Sequence, residues 1–446
     1  MNTPHRPPHA LDRYLGTLWR DHDFRTLWLS LTITHFGGQV TLLALPLTAA
    51  LLLNASPVEM GILVAMEALP YTLLGLFTGV LVDRSRKLRL IIQADIGRGV
   101  VLLLVPIAAW GGFLSMPILY VVGFLVGLGG IIGWAAYQVF MAERVGRDNL
   151  VQANSRIALT DSASQLIGPG IAGAIIHALT APIAILLDAI SFFISAFMLR
   201  SIKPADSDAP KLVAAETKSL KALWDGIWAD VKEGLVMIRH TPILRSIALS
   251  LMIWNFLKFA YLAIVILFAT RDLGFSAGQI GTIFMTSGIG LLLASATCQR
   301  LNTRFGIGLV MLGGLTISGC SWLLVATVSP NYWPAIHFGT ALFFSAFGAM
   351  IFFINYLTLR QAATPDHLRG RVTSTLIFLA MVLAPVGSLL GGFMGQYLGL
   401  RLTIAIVGVG GLLLGLVMLW KSPLRHMKTL PEPILATPTN AEMPQI

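Results

Sequence analysis

Residues 115–141 read SMPILYVVGFLVGLGGIIGWAAYQVFM and contain no charged side chain. A helix needs about 20 apolar residues to cross the hydrocarbon core of a bilayer. Backbone polar groups in lipid must bond within the protein, so a continuous apolar run of this length predicts a transmembrane helix. Eleven more runs predict spans near 27–53, 58–82, 90–110, 156–179, 182–199, 245–269, 277–297, 307–327, 334–358, 372–397 and 401–420. The sequence therefore predicts twelve membrane-spanning helices.

The composition of the chain also fits a membrane protein. Of its 446 residues, 56% are hydrophobic and 12% are charged, whereas about a quarter of the residues in soluble domains are charged. This difference excludes a soluble enzyme. The sequence also lacks the nucleotide motif G-x-x-x-x-G-K-[ST], the zinc motif H-E-x-x-H, and cysteine or histidine pairs at metal-binding spacing. We therefore expect no enzymatic activity, no cofactor and no metal.

The formal net charge of +10 comes from basic residues that lie almost entirely in alternate connections between the spans. The short loops around 54–57, 111–117 and 328–333 contain no basic residue. This asymmetry is typical of membrane proteins, whose cytoplasmic loops are enriched in lysine and arginine. It predicts a multi-pass membrane protein with both termini in the cytoplasm. Because topology explains the positive charge, we expect no nucleic-acid partner. The expected state is a monomer surrounded by lipid.

The longest polar stretch between spans separates six spans from six. We therefore predict a cytoplasmic N-terminal segment (1–26), an N-terminal six-helix bundle (27–199), a cytoplasmic linker (200–244), a C-terminal six-helix bundle (245–420) and a cytoplasmic tail (421–446). Within the linker, apolar residues from Leu220 to Ile238 recur at helical spacing opposite charged ones. This pattern predicts an amphipathic helix. It would either lie in the membrane interface or pack on the cytoplasmic loops.

The two halves of the sequence resemble each other at an offset of about 220 residues. Three matches occur in order: 56–61 with 276–281, 148–150 with 366–368, and Gly168, Ala172 and Gly173 with Gly387, Gly391 and Gly392. Parallel repeats of this kind occur in secondary transporters, whose substrate site lies near the bilayer midplane between the halves. The predicted fold class is an all-α membrane protein with twelve transmembrane helices in two pseudo-symmetric six-helix bundles.

Two motifs resemble those of the major facilitator superfamily. Residues 79–87, Gly-Val-Leu-Val-Asp-Arg-Ser-Arg-Lys, resemble its G-x-L-x-D-R-x-G-R loop but have Arg86 in place of the second glycine. Residues 168–173, Gly-Pro-Gly-Ile-Ala-Gly, resemble the G-P-x-x-G-G element of its exporters, chiefly the drug/proton antiporters. The stretches 24–30, 83–98 and 149–155 are similar to the bacterial macrolide-efflux and enterobactin-exporter subgroup. The resemblance implies the major facilitator fold and a place in the bacterial cytoplasmic membrane. It also assigns Gly168, Pro169, Gly170 and Gly173 to the antiporter-type element.

By the same resemblance, the loop after the second span is an inner gate. Asp83 ends that span, where the N-terminus of a neighbouring helix would stabilise its carboxylate. Arg84 and Lys87 are within reach of Glu143 at the cytoplasmic end of the fourth span. With Gly79, these residues form the predicted lock, which would favour the outward-facing state. Positive-inside topology is the alternative explanation for the basic residues.

Three charged residues lie deep inside predicted spans: Glu67, Asp188 and Lys258. A charge at the bilayer centre costs at least about 2.5 kcal/mol and usually has a function. We therefore expect these residues to couple transport to protons or to bind charged substrate, with Glu67 as the first choice for the proton. A buried structural ion pair or hydrogen bond is the alternative for each. Four more charged residues lie near the cytoplasmic ends of the spans and are expected to reach the interface: Asp95, Arg98, Arg156 and Asp161.

By resemblance, spans one, four, seven and ten line the substrate cavity. A site for varied ligands should be large, aromatic and sparsely polar. The candidates on these spans are His35, Gln39, Trp134, Tyr137, Trp254, Asn255, Asn355 and Tyr356. An aromatic side chain that faces lipid or another helix is the alternative at each position.

Taken with the resemblance, these features predict a secondary active transporter that exports amphiphilic small molecules, such as drugs or siderophores, in exchange for protons by alternating access. Two alternatives keep the fold and change the direction or the cargo: an uptake symporter and a lysophospholipid flippase. A membrane sensor or scaffold that transports nothing is the third possibility, although it would not need charges inside its spans.

Overall fold

The computed structural model describes residues 17–146, 149–202, 220–365 and 368–429. Within these ranges all regular elements are helices, and twelve helical segments are long and apolar enough to cross a membrane. The prediction of twelve spans is therefore confirmed. The first six spans and a short helix are α1 (His22–Leu47), α2 (Pro57–Leu74), α3 (Thr78–Asp83), α4 (Lys87–Trp110), α5 (Met116–Val145), α6 (Leu150–Leu179) and α7 (Ala181–Leu199). The later helices are α8 (Leu220–His240), α9 (Pro242–Leu267), α10 (Ala277–Phe305), α11 (Ile307–Thr327), α12 (Pro334–Ala362), α13 (Arg369–Val382), α14 (Ala384–Leu398) and α15 (Leu400–Lys421).

The second predicted span, 58–82, is wrong at its C-terminal end. α2 ends at Leu74, and a turn at residues 75–77 separates it from α3. In this turn the Phe77 amide donates to the Leu74 carbonyl oxygen over 2.9 Å. Gly75 begins the turn, and glycine costs about 1 kcal/mol relative to alanine inside a helix. Hydropathy alone misses the break because every residue of the turn is apolar or glycine.

The two halves repeat local backbone features that hydropathy does not reveal. Ser56 and Ser276 both form capping boxes, in which each serine amide donates to the side chain three residues later, Glu59 over 2.7 Å and Gln279 over 2.9 Å. Those residues return a backbone N–H to the serine hydroxyl over 3.3 Å. Such reciprocal bonds satisfy amides that have no partner within the helix. The first repeat match therefore corresponds to an equivalent helix N-terminus in each half.

Other repeated features lie at the ends of the helices. α1 and α9 both end in a π-helical turn, Thr48–Leu52 and Phe268–Asp272. Thr180 and Gly399, at equivalent positions of the two halves, both have φ of 87°. These shared features support the predicted duplication. The match of 148–150 with 366–368 falls largely outside the described residues.

The described chain divides into two compact units. The first unit contains residues 17–202 and Ala269–Gly288, and the second contains residues 220–268 and 289–429. α1, α4, α5 and α7 share contacts in the first unit, while α9, α11, α12, α14 and α15 share contacts in the second. Each unit has its own apolar core, which includes Phe24 and Phe140 in the first and Phe352 and Leu376 in the second.

Glycines allow helices to approach closely inside the second unit. A Cβ at Gly387 or Gly391 of α14 would overlap the backbone of Phe256 or Ala260 of α9. In lipid, where no hydrophobic force drives helices together, small residues provide much of the packing. This stripe therefore holds α14 against α9.

The predicted amphipathic helix is present as α8, and it packs on α13 within the second unit. Arg371 of α13 pairs with Asp230, at 2.8 Å, and with Glu233. Gly234 of α8 lies against the backbone of Arg371, and Ile238 is buried. Leu235 and Val236 remain half exposed. One side of α8 is thus fixed by protein contacts, while apolar side chains project from the rest of its surface.

Candidate functional site

The first unit contains a cavity of about 90 Å³ between four of its helices. The wall contains Ser30, Leu31, Thr34 and His35 of α1, Ile91, Asp95 and Arg98 of α4, Gly130, Gly133, Trp134 and Tyr137 of α5, and Ser195 and Leu199 of α7. A pocket inside a membrane-spanning unit that has both charged and aromatic walls is a candidate binding site.

Asp95 and Arg98 form an ion pair at this cavity. They lie one turn apart on α4, and the Arg98 Nη2 donates to Asp95 Oδ1 over 2.5 Å. The Ser195 hydroxyl of α7 donates to Asp95 Oδ2 over 2.6 Å. Asp95 is 3% exposed. The expectation that Asp95 and Arg98 reach outward to the interface is therefore wrong, because Asp95 is buried between α4 and α7 and Arg98 is paired with it there.

Asp188 of α7 is buried beside this pair. Its carboxylate accepts hydrogen bonds from the Thr41 hydroxyl of α1 and, over 3.0 Å, from the Ser191 hydroxyl. Gly37 of α1 lies so close that a Cβ there would overlap Asp188 Oδ1. Arg98 interacts electrostatically with both Asp188 and Asp95, and its guanidinium carbon lies 4.2 Å from the centre of the Phe192 ring. Arg98 is thus paired with Asp95 and lies within electrostatic range of Asp188.

Glu67 of α2 lies in the same unit and packs on α5. Its Cγ would be 3.1 Å from a Cβ at Gly123 of α5, so the side chain packs against that helix. Within its unit Glu67 has no hydrogen bond or ion pair among the described residues. Tyr71, one turn later, interacts electrostatically with both Glu67 and Arg98. We call Glu67, Asp95, Arg98 and Asp188 the charge network.

Aromatic and polar side chains form the opposite wall of the cavity. Trp134 stacks on Tyr137 with ring centres 5.9 Å apart, and the His35 ring centre lies 6.1 Å from that of Trp134. His35 Nδ1 is 3.6 Å from Asp161 Oδ1 of α6. Three of the predicted cavity residues therefore meet at one place. Asp161 lies about three turns from the start of α6, and its side chain is 49% exposed.

The antiporter-type element packs α6 between two neighbours within the first unit. A Cβ at Gly168 would lie 2.7 Å from Gln39 Cβ of α1. A Cβ at Gly173 would lie 2.7 Å from both the Ala277 carbonyl oxygen and Gly281 Cα at the beginning of α10. Gly170 lies against Met285 of α10, and Pro169 lies inside α6. The element is therefore a close backbone contact between α6 and the first turns of α10.

The predicted lock is partly visible in the first unit. Lys87 Nζ lies 3.5 Å from Glu143 Oε1, and the Lys87 side chain is 1% exposed. Arg84 is exposed and has no ion pair among the described residues. Gly79 lies in α3 with open space at its Cβ position. Asp83 ends α3, and its side chain lies outside the described part of the chain.

The remaining candidates belong to the second unit, where neighbouring residues bind most of their polar groups. Asn255 donates to the Leu251 carbonyl over 3.0 Å, and Asn355 accepts from Asn302 over 2.7 Å. The Tyr356 hydroxyl accepts from Arg360 over 3.0 Å.

Lys258 and Trp254 form a separate pair in the second unit. Lys258 Nζ lies 5.2 Å from the centre of the Trp254 ring. Within the unit, this cation–π contact is the only interaction of the Lys258 ammonium group among the described residues. The Trp254 indole N–H donates to the Ser318 hydroxyl over 3.4 Å.

Sequence reasoning identified the separate members of the charge network but missed the role of Asp95 and Arg98. The available signal was a pair of opposite charges three residues apart, next to an apolar run, which places both on one helix face. The partner of Asp95, Ser195, is 100 residues away, so sequence spacing could not indicate it. In the described ranges, no group of three histidine, cysteine or acidic side chains is arranged to hold a metal ion.

Comparison with known proteins gives the same class. The chain is 25% identical over 404 residues to the multidrug efflux pump Tap of Mycolicibacterium fortuitum, covering 89% of this chain and 95% of that protein. It is also 25% identical over 404 residues to the uncharacterised MFS-type transporter YfiS of Bacillus subtilis, covering 88% and 92%.

Two solved structures resemble the fold. A bacterial homologue of the iron transporter ferroportin, in an inward-facing state, has a TM-score of 0.71 and 15% identity, covering 89% of this chain and 98% of that one. The nucleoside transporter NupG has a TM-score of 0.68 and 11% identity, covering 89% and 98%. At these identities the likeness extends to the fold alone.

A sequence profile of the transmembrane secretion effector family matches residues 17–442. The match covers nearly all of the chain and includes every predicted span. With twelve potential spans and relatives that are MFS-type transporters, the chain is a multi-pass membrane transporter and not an enzyme. It belongs to the transmembrane secretion effector family of the major facilitator superfamily.

Proposed function

We propose that this transporter exports amphiphilic small molecules, such as drugs or siderophores, in exchange for protons. It works as a monomer by alternating access in the bacterial cytoplasmic membrane, with both termini in the cytoplasm. The observation that carries the proposal is the charge network: three carboxyl groups and one guanidinium inside the membrane-spanning helices of the first unit.

The charge balance of the network supports proton exchange. Arg98 neutralises one carboxylate, so full ionisation of Glu67, Asp95 and Asp188 would leave negative charge in the interior of the unit. Ionised groups without a partner are costly in a low-dielectric interior and tend to become neutral. A network with more carboxyl groups than guanidinium groups therefore holds a proton that it can release when the surroundings of Arg98 change.

The cavity beside the network has groups suited to part of an amphiphilic substrate: its volume of about 90 Å³ is below the roughly 300 Å³ at which ligand pockets begin, so it would receive one end of such a molecule. Trp134 and Tyr137 offer flat apolar surfaces with the polar His35 ring beside them, while the Asp95–Arg98 pair offers charged contacts at the other wall. A substrate that contacts Arg98 or Asp95 would alter the charge balance of the network directly. Substrate binding and proton binding would therefore compete, which is the requirement for exchange in opposite directions.

Two observations favour export over uptake. The Gly168–Gly173 element, which resembles that of exporters, forms the close contact between α6 and α10. A relative that shares 25% identity over most of the chain is named a multidrug efflux pump. We further infer that Gly79, Asp83, Arg84, Lys87 and Glu143 form a cytoplasmic gate, supported by the buried Lys87–Glu143 pair. Lys258 beside Trp254 is a further candidate for charge coupling.

Proton flux in proteoliposomes tests the proposal. The purified protein is reconstituted with the pH dye pyranine inside, and ethidium or a catecholate siderophore is supplied outside with an outward proton gradient. Antiport predicts ethidium or siderophore uptake into the liposomes together with loss of internal protons. Asp95→Asn/Asp188→Asn, which leaves a single carboxyl group in the network to balance Arg98, should abolish the coupled flux, whereas Glu233→Gln, which removes an exposed carboxylate of the second unit, should preserve it.

Three results would oppose the proposal. Proton movement in the same direction as the added compound would indicate symport. Movement of a lysophospholipid alone would indicate a flippase. Transport at an unchanged rate after a protonophore has collapsed the gradient would exclude proton coupling.

A further inference from the structure

An apolar groove lies between α8, α9 and α13 in the second unit. Its volume is about 310 Å³. The apolar walls are formed by Leu235, Ile238, Ala248, Leu249, Met252 and Leu379. Leu235 is 47% exposed and Leu249 is 41% exposed, so the groove is open along one side. Because α9 is a membrane span, this open side is accessible to lipid.

Two arginines border the groove at one end. Arg239 is at the end of α8 and Arg245 is in the first turn of α9. Both are exposed, and neither has an ion pair among the described residues. The nearest acidic residues of α8, Asp230 and Glu233, are paired with Arg371 of α13. The two guanidinium groups therefore leave an unbalanced positive charge beside an apolar surface.

The order of these groups along α9 matches that of a phospholipid. Arg245 begins the span, and Met252 lies seven residues later, about 10 Å deeper at 1.5 Å of rise per residue. A ligand in the groove would thus meet positive charge near the interface and apolar side chains further into the bilayer. Guanidinium groups bind phosphate oxygens in a bidentate manner.

We propose that this groove binds an anionic phospholipid, with its phosphate between Arg239 and Arg245 and part of an acyl chain along Leu249 and Met252. Charge complementarity selects this occupant. A zwitterionic lipid would bring its own cation towards the two guanidinium groups, and a free anion would leave the apolar walls unfilled. Because α8 forms one wall, the bound lipid also holds the linker helix against the span.

Native mass spectrometry of the full chain tests the proposal. The protein is released from micelles containing equal amounts of phosphatidylglycerol and phosphatidylcholine, and retention of each lipid is compared. Each basic residue near an anionic lipid contributes about a fivefold change in affinity. The double variant Arg239→Gln/Arg245→Gln should therefore lose roughly thirty-fold in phosphatidylglycerol affinity. Arg300→Gln/Arg304→Gln, an equal change of charge on α10 in the same unit, should leave it unaltered.

A second variant tests the apolar part of the groove without altering the charge. Leu249→Trp fills the groove from its exposed rim and should lower retention of phosphatidylglycerol at least fivefold. This variant keeps the proposal testable if the double arginine variant does not fold. The proposal would be overturned if the wild type retained both lipids equally, or if either groove variant retained phosphatidylglycerol fully. It would also be overturned if inorganic phosphate displaced phosphatidylglycerol as well as free phosphatidylglycerol does.

Discussion

The pair between Asp95 and Arg98 should be one of the strongest polar couplings in the first unit. The two side chains are only 4% and 18% exposed, and their shortest contact is 2.5 Å. The informative perturbation is a double-mutant cycle made of Asp95→Asn, Arg98→Gln and the two changes combined. The cycle isolates the interaction energy from the separate effects of each substitution.

The expected magnitude follows from burial. Removing one partner of a buried ion pair costs about 3 to 5 kcal/mol, because a buried charge is left without its partner. Asp188 lies within electrostatic range of Arg98, so a negative charge remains near the guanidinium in Asp95→Asn. The amide oxygen introduced by that substitution would also still accept from Ser195. We therefore expect each single change to cost about 3 kcal/mol and the double change to cost about 3 kcal/mol less than their sum.

The assay is unfolding of the purified protein by dodecyl sulfate in mixed micelles, followed by helical circular dichroism. The matched control is the pair between Glu233 and Arg371, whose side chains are 48% and 43% exposed. Exposed pairs contribute about 1 kcal/mol or less, so the Glu233→Gln/Arg371→Gln cycle should show weak coupling. Additive costs in the Asp95/Arg98 cycle would refute the assignment of a buried, mutually dependent pair.

Three further predictions concern backbone and packing and use the same unfolding assay. Thr180 has φ of 87° and ψ of 157°, a region essentially restricted to glycine, so Thr180→Gly should stabilise the protein by about 1 kcal/mol. Gly399 has the same φ and open space at its Cβ position, so Gly399→Thr should destabilise the protein; wild-type stability in both variants would contradict this. Gly173→Leu should lower the free energy of unfolding by about 1 to 3 kcal/mol, because a Cβ there would lie 2.7 Å from the backbone of α10. A Cβ at Gly313 would meet open space, so Gly313→Leu should cost less; a larger cost at Gly313 would contradict the close contact between α6 and α10. Ser56→Ala should cost about 1 kcal/mol by removing a capping box, and an unchanged midpoint would show that the cap is not stabilising.

The number and approximate positions of the spans could be predicted from sequence because each span must present a long apolar run to lipid. The ends could not. α4 and α6 begin at Lys87 and Leu150, before their apolar runs, because a helix continues through polar turns that hydropathy excludes. The break after Leu74 also escaped prediction, since its residues are as apolar as the helix around them.

The site was predictable only in part, for a different reason. An acidic residue such as Glu67 or Asp188 is conspicuous inside an apolar run, so its burial follows from the sequence. Its partners do not, because they come from other helices: Thr41 donates to Asp188 across 147 residues of sequence. Asp95 and Arg98 lie near the start of an apolar run, which predicts an interface position, but packing against Ser195 of α7, 100 residues away, buries the carboxylate.

Release of protons on ligand binding tests the charge network most directly. Ethidium is added to the purified protein in weakly buffered detergent solution near neutral pH, with its fluorescence reporting binding and a pH indicator reporting protons. We predict that wild-type protein releases protons as ethidium binds, and that the Asp95→Asn/Asp188→Asn variant releases none. Ethidium bound by the wild type without any release of protons would contradict the account.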